Sequence, residues 1–206
     1  MEQFEIELKF YISDLGAQQK KLLDRGAVCI GPRTFEHNVR YETEDGRLLR
    51  NNCLLRLRKD QDITLTFKSP PPQTDGRFKI YRELEVHVDD FDTTDALLNA
   101  LGFIRSQIYE KWRETWQFKG ATICLDTLPF GSFMEIEGSP EAITQIVDDL
   151  GLAWKQRILA GYLRIFALLR EKEALAFMDA TFANFKGTNL VFDRYRHLFE
   201  ADDAMR

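Results

Sequence analysis

The 206-residue sequence predicts an α+β fold in which antiparallel strands close into a barrel and helices pack on the outside of it. Several segments alternate polar and apolar residues with a period of two, as strands with two different faces do. Three segments with a helical pattern each end at a glycine. The polar faces of the strands carry neighbouring charges of the same sign, which indicates an enclosed charged interior rather than a face open to water.

Seven segments show the period of two. They span residues 4–10, 53–58, 63–68, 79–88, 108–118, 121–127 and 133–137. In the first of them, Glu5, Glu7 and Lys9 share one face and the apolar residues share the other. We therefore expect each strand to turn its apolar face to a layer of helices and its polar face to the opposite side.

Helices are predicted over residues 13–25, 92–101 and 139–150, with a serine positioned to cap the first of them. The glycines that follow them are Gly26, Gly102 and Gly151. Each helix also follows a strand that contains Glu-x-Glu. The three pairs are Glu5 and Glu7, Glu83 and Glu85, and Glu135 and Glu137. We interpret this recurrence as one strand–helix unit used three times.

The pattern turns helical again from Ile158 onward. We interpret residues 1–170 as the barrel domain and residues 171–206 as a helical C-terminal extension packed on the same domain. The phenylalanines of this extension suit packing on the barrel or on a partner better than chemistry.

Composition narrows the range of partners. The formal net charge of −5 argues against a general affinity for nucleic acid or for anionic membranes. Any bound anion must therefore be held by a local cluster of basic residues. The three cysteines have no metal-ligand spacing. The N-terminus lacks the features of a secretory signal, and no stretch approaches the ~20 apolar residues of a membrane helix, so we expect a cytoplasmic protein.

The charged strand faces carry the functional argument. The predicted interior acids are Glu5, Glu7, Glu83, Glu85, Asp126, Glu135 and Glu137. The predicted interior bases are Lys9, Arg56, Arg58, Lys68, Lys111 and Arg113. Like charges side by side on one strand repel each other unless an opposite charge lies between them. Metal cations would lie between carboxylates, and phosphate oxygens between arginines and lysines.

An interior of this kind cannot be dry, because an unpaired buried ion is strongly destabilising. It predicts a wet, ion-filled tunnel suited to a highly charged anion such as triphosphate. The alternative is an ordinary half-buried sheet whose polar faces meet water, and that alternative accounts for any single strand taken alone.

The segment Glu5-x-Glu7-x-Lys9 resembles the ExExK signature of the CYTH superfamily, the triphosphate tunnel metalloenzymes. Further segments match the family in order, within residues 2–170. They are 38–46, Leu55-Arg56-Leu57-Arg58, Leu65-Thr66-Phe67-Lys68, Arg82-Glu83-Leu84-Glu85, Lys111-Trp112-Arg113, Leu125-Asp126, 133–137 and Tyr162-Leu163. Two features depart from the family. Arg40-Tyr41-Glu42 stands where the family has two aromatic residues and an aspartate, and the family core does not require the chain after Glu171.

The resemblance implies a closed barrel of eight antiparallel strands that works with Mg²⁺ or Mn²⁺. The implied metal ligands are Glu5, Glu7, Glu135 and Glu137. The implied phosphate-binding residues are Lys9, Arg56, Arg58, Lys68, Lys111 and Arg113, which would neutralise charge during phosphoryl transfer. The implied catalytic residues are Lys9, Glu83, Glu85 and Asp126. The three acids among them would hold a second metal ion or orient the attacking water.

The leading functional hypothesis is hydrolysis of a small triphosphate, namely inorganic triphosphate, thiamine triphosphate or a nucleoside triphosphate. The main alternative is a class IV adenylyl cyclase, in which the ribose 3′-hydroxyl of ATP replaces water as the nucleophile. A polyphosphate-binding module without turnover is a third hypothesis, although a pure anion binder needs only the bases. A lipocalin-type barrel is a fourth, but it would need apolar inward faces. The sequence leaves the oligomeric state open, with a homodimer as one option.

Overall fold

The computed structural model describes residues 3–201, which contain eight strands and five α-helices. The strands are β1 (Gln3–Tyr11), β2 (Val28–Thr43), β3 (Leu54–Lys59), β4 (Ile63–Ser69), β5 (Lys79–His87), β6 (Phe103–Phe118), β7 (Ala121–Leu128) and β8 (Gly131–Glu137). The helices are α1 (Leu15–Asp24), α2 (Arg47–Arg50), α3 (Phe91–Ala100), α4 (Pro140–Asp149) and α5 (Tyr162–Lys172). The strands pair in the order β1-β5-β4-β3-β2-β6-β7-β8 and form a closed antiparallel barrel, which confirms the predicted fold class. Among the described residues, no helix has the length and apolar character required to cross a membrane.

The strand β2 is the one that periodicity did not identify. Its register against β6 shifts between Cys29 and Gly31, again before Thr34, and once more after Arg40. Each shift interrupts the alternation of side chains on which the prediction depends. Its first half is also largely exposed, so it lacks a consistent apolar face. β6 in turn begins five residues earlier than expected, because Phe103 to Gln107 pair with the second half of β2.

The helices α1, α3 and α4 confirm the three predicted segments. Asp14, rather than Ser13, caps α1, because its carboxylate accepts a hydrogen bond from the N–H of Ala17 at 2.9 Å. The three predicted terminating glycines all have positive φ, with Gly26 at 84°, Gly102 at 89° and Gly151 at 59°. This left-handed conformation is the one that glycine adopts most easily after a helix. The short helix α2 was not predicted.

The three strands that carry Glu-x-Glu are neighbours in the barrel. β1 pairs with β5 on one side and with β8 on the other. Glu7 lies opposite Glu137 on β8 and opposite Lys79 on β5. Because all three acidic pairs point inward from adjacent strands, one side of the interior is acidic. β3, β4 and β6 contribute most of the predicted interior bases, and β4 lies directly beside the acidic strand β5.

Helices cover the apolar faces of the strands. Leu22 of α1 and Ile143 and Ile146 of α4 are fully buried in one cluster with Leu8 and Ile136 of the barrel. Side chains of α2 and α3 join a second cluster on β2 and β3. This packing removes these apolar side chains from water. β5 is an exception, because its Leu84 and Val86 stay 50% and 55% exposed. The polar faces of the strands line the interior of the barrel.

The chain after α5 differs from the prediction of further helices. Residues 173–201 form turns and two single-turn 3-10 helices, Phe192–Arg194 and Arg196–Leu198. α5 ends at Lys172, and Ala174 then adopts a φ of 49°, which a continuing helix does not allow. Phe185 and Phe192 are buried in a cluster with Phe166 of α5. Aromatic packing, rather than a helical repeat, therefore orders this part of the chain.

Candidate active site inside the barrel

The charged side chains predicted for the interior line one cavity of about 1120 Å³. Those that line it are Glu5, Glu7, Lys9, Arg56, Arg58, Lys68, Glu83, Glu85, Lys111, Arg113, Glu135 and Glu137. The thirteenth, Asp126, is 0% exposed and contacts two of the lining bases. Apart from the exposed Glu85, these side chains are buried or half-buried, and the convergence predicted from their alternation is confirmed.

Three carboxylates converge at the acidic side. Glu5, Glu7 and Glu137 each place a carboxylate oxygen within 4.8 Å of the other two. Burial, together with the negative charges of Glu5 and Glu7, raises the pKa of Glu137 to about 7 against the opposing effect of Arg113. Burial also raises the pKa of Glu5, with Glu7 contributing to the rise. Carboxylates that repel each other at this distance suit a hard divalent cation, so the residues present fit Mg²⁺ or Mn²⁺.

Glu7 differs from the other two carboxylates of this group. Burial alone would raise its pKa, but Lys79 and Lys9 hold it at about 2. Lys79 donates a hydrogen bond to Glu7, and Lys9 lies 3.9 Å from it. Glu7 is therefore ionised at neutral pH even without a cation.

Glu135, the fourth predicted metal ligand, is engaged by bases. Its carboxylate accepts hydrogen bonds from Lys9 and from Arg113. Although burial opposes ionisation, Lys9, Arg113 and Lys111 hold the pKa of Glu135 well below its usual range. Lys9 is only 1% exposed, and its ammonium lies 4.2 Å from the centre of the Tyr162 ring. Lys9 and Glu135 thus form a buried pair between the acidic and basic sides.

The acids of β5 face the bases of β3 and β4. Lys68 lies 3.1 Å from Glu83 and also donates a hydrogen bond to Glu5. Glu85 lies 3.7 Å from Arg56 and 4.0 Å from Arg58. Both guanidinium groups have closer partners elsewhere, because Arg58 lies 3.0 Å from Asp60 and Arg56 donates a hydrogen bond to Thr66 at 3.1 Å. The two arginines are therefore held at the cavity wall, where guanidinium groups can bind an anion.

Asp126 lies behind the bases of β6. Its carboxylate accepts two hydrogen bonds from Arg113, at 2.7 and 2.6 Å, and one from Lys111 at 3.0 Å. The hydroxyl of Tyr162 donates a further bond at 2.8 Å. With all these donors and no exposed surface, Asp126 orients the two bases rather than reaching the cavity.

Some charged residues that contact the predicted site residues were missed, and Lys79 and Glu36 are two of them. Lys79 lies on the predicted strand 79–88, on the same face as Glu83, so the period of two could have identified it. Glu36 is 3% exposed and lies 3.4 Å from Lys111 and 3.7 Å from Arg113. It belongs to β2, whose irregular register concealed the alternation of its side chains.

The cavity also has a lining of uncharged and flexible side chains. They are Leu49, Cys53, Leu54, Leu163, Ala167 and Met178. Some lie on or beside α2, others on α5, and Met178 lies in the chain that follows α5. The cavity therefore combines a charged interior with a less polar region that a bare phosphate chain would not need.

Comparison with known proteins places these features in context. A family model described as the CYTH domain matches residues 3–159. A candidate adenylate cyclase from Vibrio parahaemolyticus has a similar structure, with a TM-score of 0.72 at 20% identity over 81% of this chain and 99% of that chain. A protein from Pyrococcus horikoshii aligns with a TM-score of 0.62 at 28% identity, over 82% of this chain and 99% of its own.

A third structure is that of a candidate adenylyl cyclase from Hippeastrum, described as having a dominant triphosphatase activity. It aligns with a TM-score of 0.56 at 18% identity, over 84% of this chain and 96% of its own. No curated protein sequence matches the chain significantly.

Proposed function

The chain belongs to the CYTH domain family, and from this premise we propose that it hydrolyses a small triphosphate with the help of Mg²⁺ or Mn²⁺ in the barrel interior. The observation that carries the proposal is the convergence of acids and bases on one cavity. Three carboxylate groups lie within 4.8 Å of one another, and besides Lys9 the five other bases predicted to bind phosphate line the same cavity. Those bases are Arg56, Arg58, Lys68, Lys111 and Arg113.

The acidic group would hold the divalent cation. Glu5, Glu7 and Glu137 are its proposed ligands, since their oxygens already converge. A cation bound there supplies positive charge to the phosphate oxygens and a binding position for water. Glu135, which the family resemblance also assigns to the metal, holds Lys9 and Arg113 in place when no cation is bound.

The bases would bind the phosphate chain. Arg56 and Arg58 present planar guanidinium groups that match phosphate oxygens, and Lys68 and Lys111 add compact charges. Charge that develops on the oxygens during phosphoryl transfer is stabilised most by groups that are already in position. Asp126 provides that positioning for Lys111 and Arg113, through hydrogen bonds that need no rearrangement on binding.

Glu83 and Glu85 are the proposed acids for orienting the attacking water. Both line the cavity and face bases at 3.1 to 4.0 Å. When a phosphate chain binds those bases, the two carboxylates lose their counter-charges and become available as hydrogen-bond acceptors. Water is the simplest nucleophile for such a site because it needs no separate binding pocket.

A substrate panel tests this function. The protein would be incubated with tripolyphosphate, thiamine triphosphate or ATP, each with Mg²⁺ or Mn²⁺, and orthophosphate and cyclic AMP would be measured. We expect orthophosphate release that stops when the cation is chelated. Formation of cyclic AMP from ATP without appreciable orthophosphate would instead identify a cyclase and overturn the proposal.

A carboxylate variant separates an enzyme from a phosphate-binding module. Glu7→Gln removes a proposed cation ligand, so we expect turnover to fall by roughly a hundredfold or more while triphosphate binding persists. Glu141→Gln serves as the matched control, because Glu141 is exposed on α4 outside the barrel. Equal turnover in the two variants would show that Glu7 holds no catalytic cation.

A further inference from the structure

The tail segment, residues 173–201, extends the barrel wall beside β6. β7 pairs with β6 from Trp112 onward, so the earlier half of β6 has an edge that β7 does not reach. At that edge the N–H of Ala180 donates to the carbonyl of Ile108 at 2.9 Å, and the N–H of Glu110 donates to the carbonyl of Ala180 at 3.0 Å. The tail segment therefore continues the sheet where β7 ends. The family match ends at residue 159, before this segment begins.

Met178 places a side chain of the tail segment in the cavity wall. Its carbonyl accepts a hydrogen bond from the side-chain amide of Gln107 on β6 at 2.9 Å. Its sulfur contacts the guanidinium of Arg170 on α5. The residue is 55% exposed, which leaves much of the thioether free to contact a ligand. Its position is thus set by the barrel and by α5 together.

The chemistry of this wall suits an organic ring. The uncharged lining of the cavity includes Leu49, Cys53, Leu163 and Ala167 besides Met178. Such side chains do not bind phosphate oxygens, and a methionine sulfur makes favourable contacts with aromatic rings. Besides the arginines proposed to bind phosphate, three further guanidinium groups line the same cavity, namely Arg40, Arg164 and Arg170. Their charge disfavours a cationic ring and is compatible with a neutral one.

The size of the cavity agrees with this chemistry. Its volume of about 1120 Å³ is at or above the roughly 300 to 1,000 Å³ of sites that bury whole small molecules. A phosphate chain bound by the charged side chains would make no contact with the less polar lining of the cavity. A substrate with a ring attached to the chain would cover both.

We propose that the tail segment, through Met178, forms the wall that recognises a neutral aromatic group attached to the triphosphate. The site then favours a nucleoside triphosphate over inorganic triphosphate and over a triphosphate with a cationic ring. This inference rests on the proposed function for the binding of the phosphate chain. It adds a specificity-determining residue that lies outside the family core.

Binding measurements test the proposal without requiring turnover. Dissociation constants would be measured by calorimetry, with Mg²⁺, for non-hydrolysable imido analogues of ATP and of tripolyphosphate. We expect the wild-type protein to bind the ATP analogue more tightly. Met178→Ala should weaken that binding by about tenfold, as expected for loss of an apolar contact in a pocket, and should leave the tripolyphosphate analogue unaffected.

Val191→Ala is the matched control, since Val191 is a 46% exposed apolar residue of the same tail segment that does not line the cavity. It should change neither constant. If Met178→Ala weakens both analogues equally or changes neither, or if the wild-type protein shows no preference for the ATP analogue, the inference is wrong. Preferential binding of the ATP analogue without turnover of any triphosphate would refute the proposed hydrolysis and leave the role of Met178 standing.

Discussion

Asp126 is a buried carboxylate that accepts hydrogen bonds from two of the proposed phosphate-binding bases. It joins Lys111, Arg113 and Tyr162, which come from one strand and one helix that are far apart in sequence. Burial and the Asp126 charge raise the pKa of Tyr162 well above its usual range, so the hydroxyl is a hydrogen-bond donor at neutral pH. A single carboxylate thereby fixes the end of α5 against the barrel interior.

Removing the charge of Asp126 should destabilise the protein strongly. Asp126→Asn removes a counter-charge from two buried cations, and breaking a buried ion pair in this way costs about 3 to 5 kcal/mol. Urea unfolding followed by circular dichroism would measure the loss. Asp149→Asn is the control, because Asp149 pairs with Lys119 near the surface at 2.6 Å and such pairs contribute about 1 kcal/mol or less. Similar losses in the two variants would contradict the role assigned to Asp126.

The sequence predicted the identity of most interior residues but not their pairing. Alternation shows that Glu5 and Glu7 share a face, and this depends only on the period of a strand. Which base lies against which acid depends on the register between strands that are distant in the chain. Glu135 illustrates the limit, since Lys9 and Arg113 reach it from β1 and β6. No local pattern encodes that geometry.

At the scale of elements, Glu42 of β2, which departs from the family motif, has a structural role. Glu42 stands where the family has an aspartate, and its carboxylate accepts hydrogen bonds from the backbone N–H groups of Thr43, Leu48 and Leu49, each at 2.8 Å. Leu48 and Leu49 belong to α2, so Glu42 satisfies donors in its first turn. The end of a strand and a single-turn helix are thus joined by one side chain.

Loss of this side chain should release α2. Glu42→Ala removes the acceptors for three N–H groups, so we expect a loss of about 1 to 2 kcal/mol in the free energy of unfolding, as for other helix caps. Thermal unfolding would detect the change as a lower melting temperature. Glu44→Ala is the neighbouring control, because Glu44 is exposed. Equal melting temperatures for both variants would show that α2 does not depend on Glu42.

Whether a helix or strand could be predicted depended on how regular its sequence pattern is. α1, α3 and α4 were found because each has an apolar face and a terminating glycine, which are local signals. β2 was missed because bulges interrupt its period, and α2 because a helix of four residues has no periodicity to read. The tail segment has phenylalanines at spacings that suggest a helix, yet tertiary packing holds them in turns.

For the whole molecule, the arrangement of charge matters more than its sum. The chain has a net charge of −5, and the cavity nevertheless brings the bases of β3, β4 and β6 together with the acids of β1, β5 and β8. The threefold strand–helix unit explains the acidic side, since β5, β1 and β8 are adjacent in the barrel. Its existence could be predicted from the sequence, whereas the adjacency of the three copies could not, because it follows from barrel closure.

The stability of the cation-free protein should therefore depend on pH through Glu137. Its pKa is about 7 in the folded protein and about 4.3 when unfolded, so the folded state holds more protons between these values. The contribution of protonated Glu137 to the free energy of unfolding is fully present below the unfolded pKa of about 4.3. It is lost as the pH rises through the folded pKa of about 7. Unfolding in the presence of a chelator should show a free energy that falls from pH 5 to pH 8.

Added Mg²⁺ should reverse that loss by binding the ionised carboxylates. Saturation at a hundredfold excess over the dissociation constant corresponds to about 2.7 kcal/mol of stabilisation. We expect the rise in melting temperature to be larger at pH 8 than at pH 5.5, where the cation competes with a proton. Glu137→Gln should abolish the pH difference, and a Mg²⁺ effect independent of pH would argue against Glu137 as a ligand.

The position of β1 between β5 and β8 also bears on how the chain folds during synthesis. β1 cannot complete its pairing until β8 has been synthesised, more than a hundred residues later. Until then Glu5, Glu7 and Lys9 stay hydrated, and α1 has no finished surface to cover. Because pairings so distant in the chain slow folding, we expect the nascent chain to remain open until its last strand emerges. The charged interior is then sealed in a single late step.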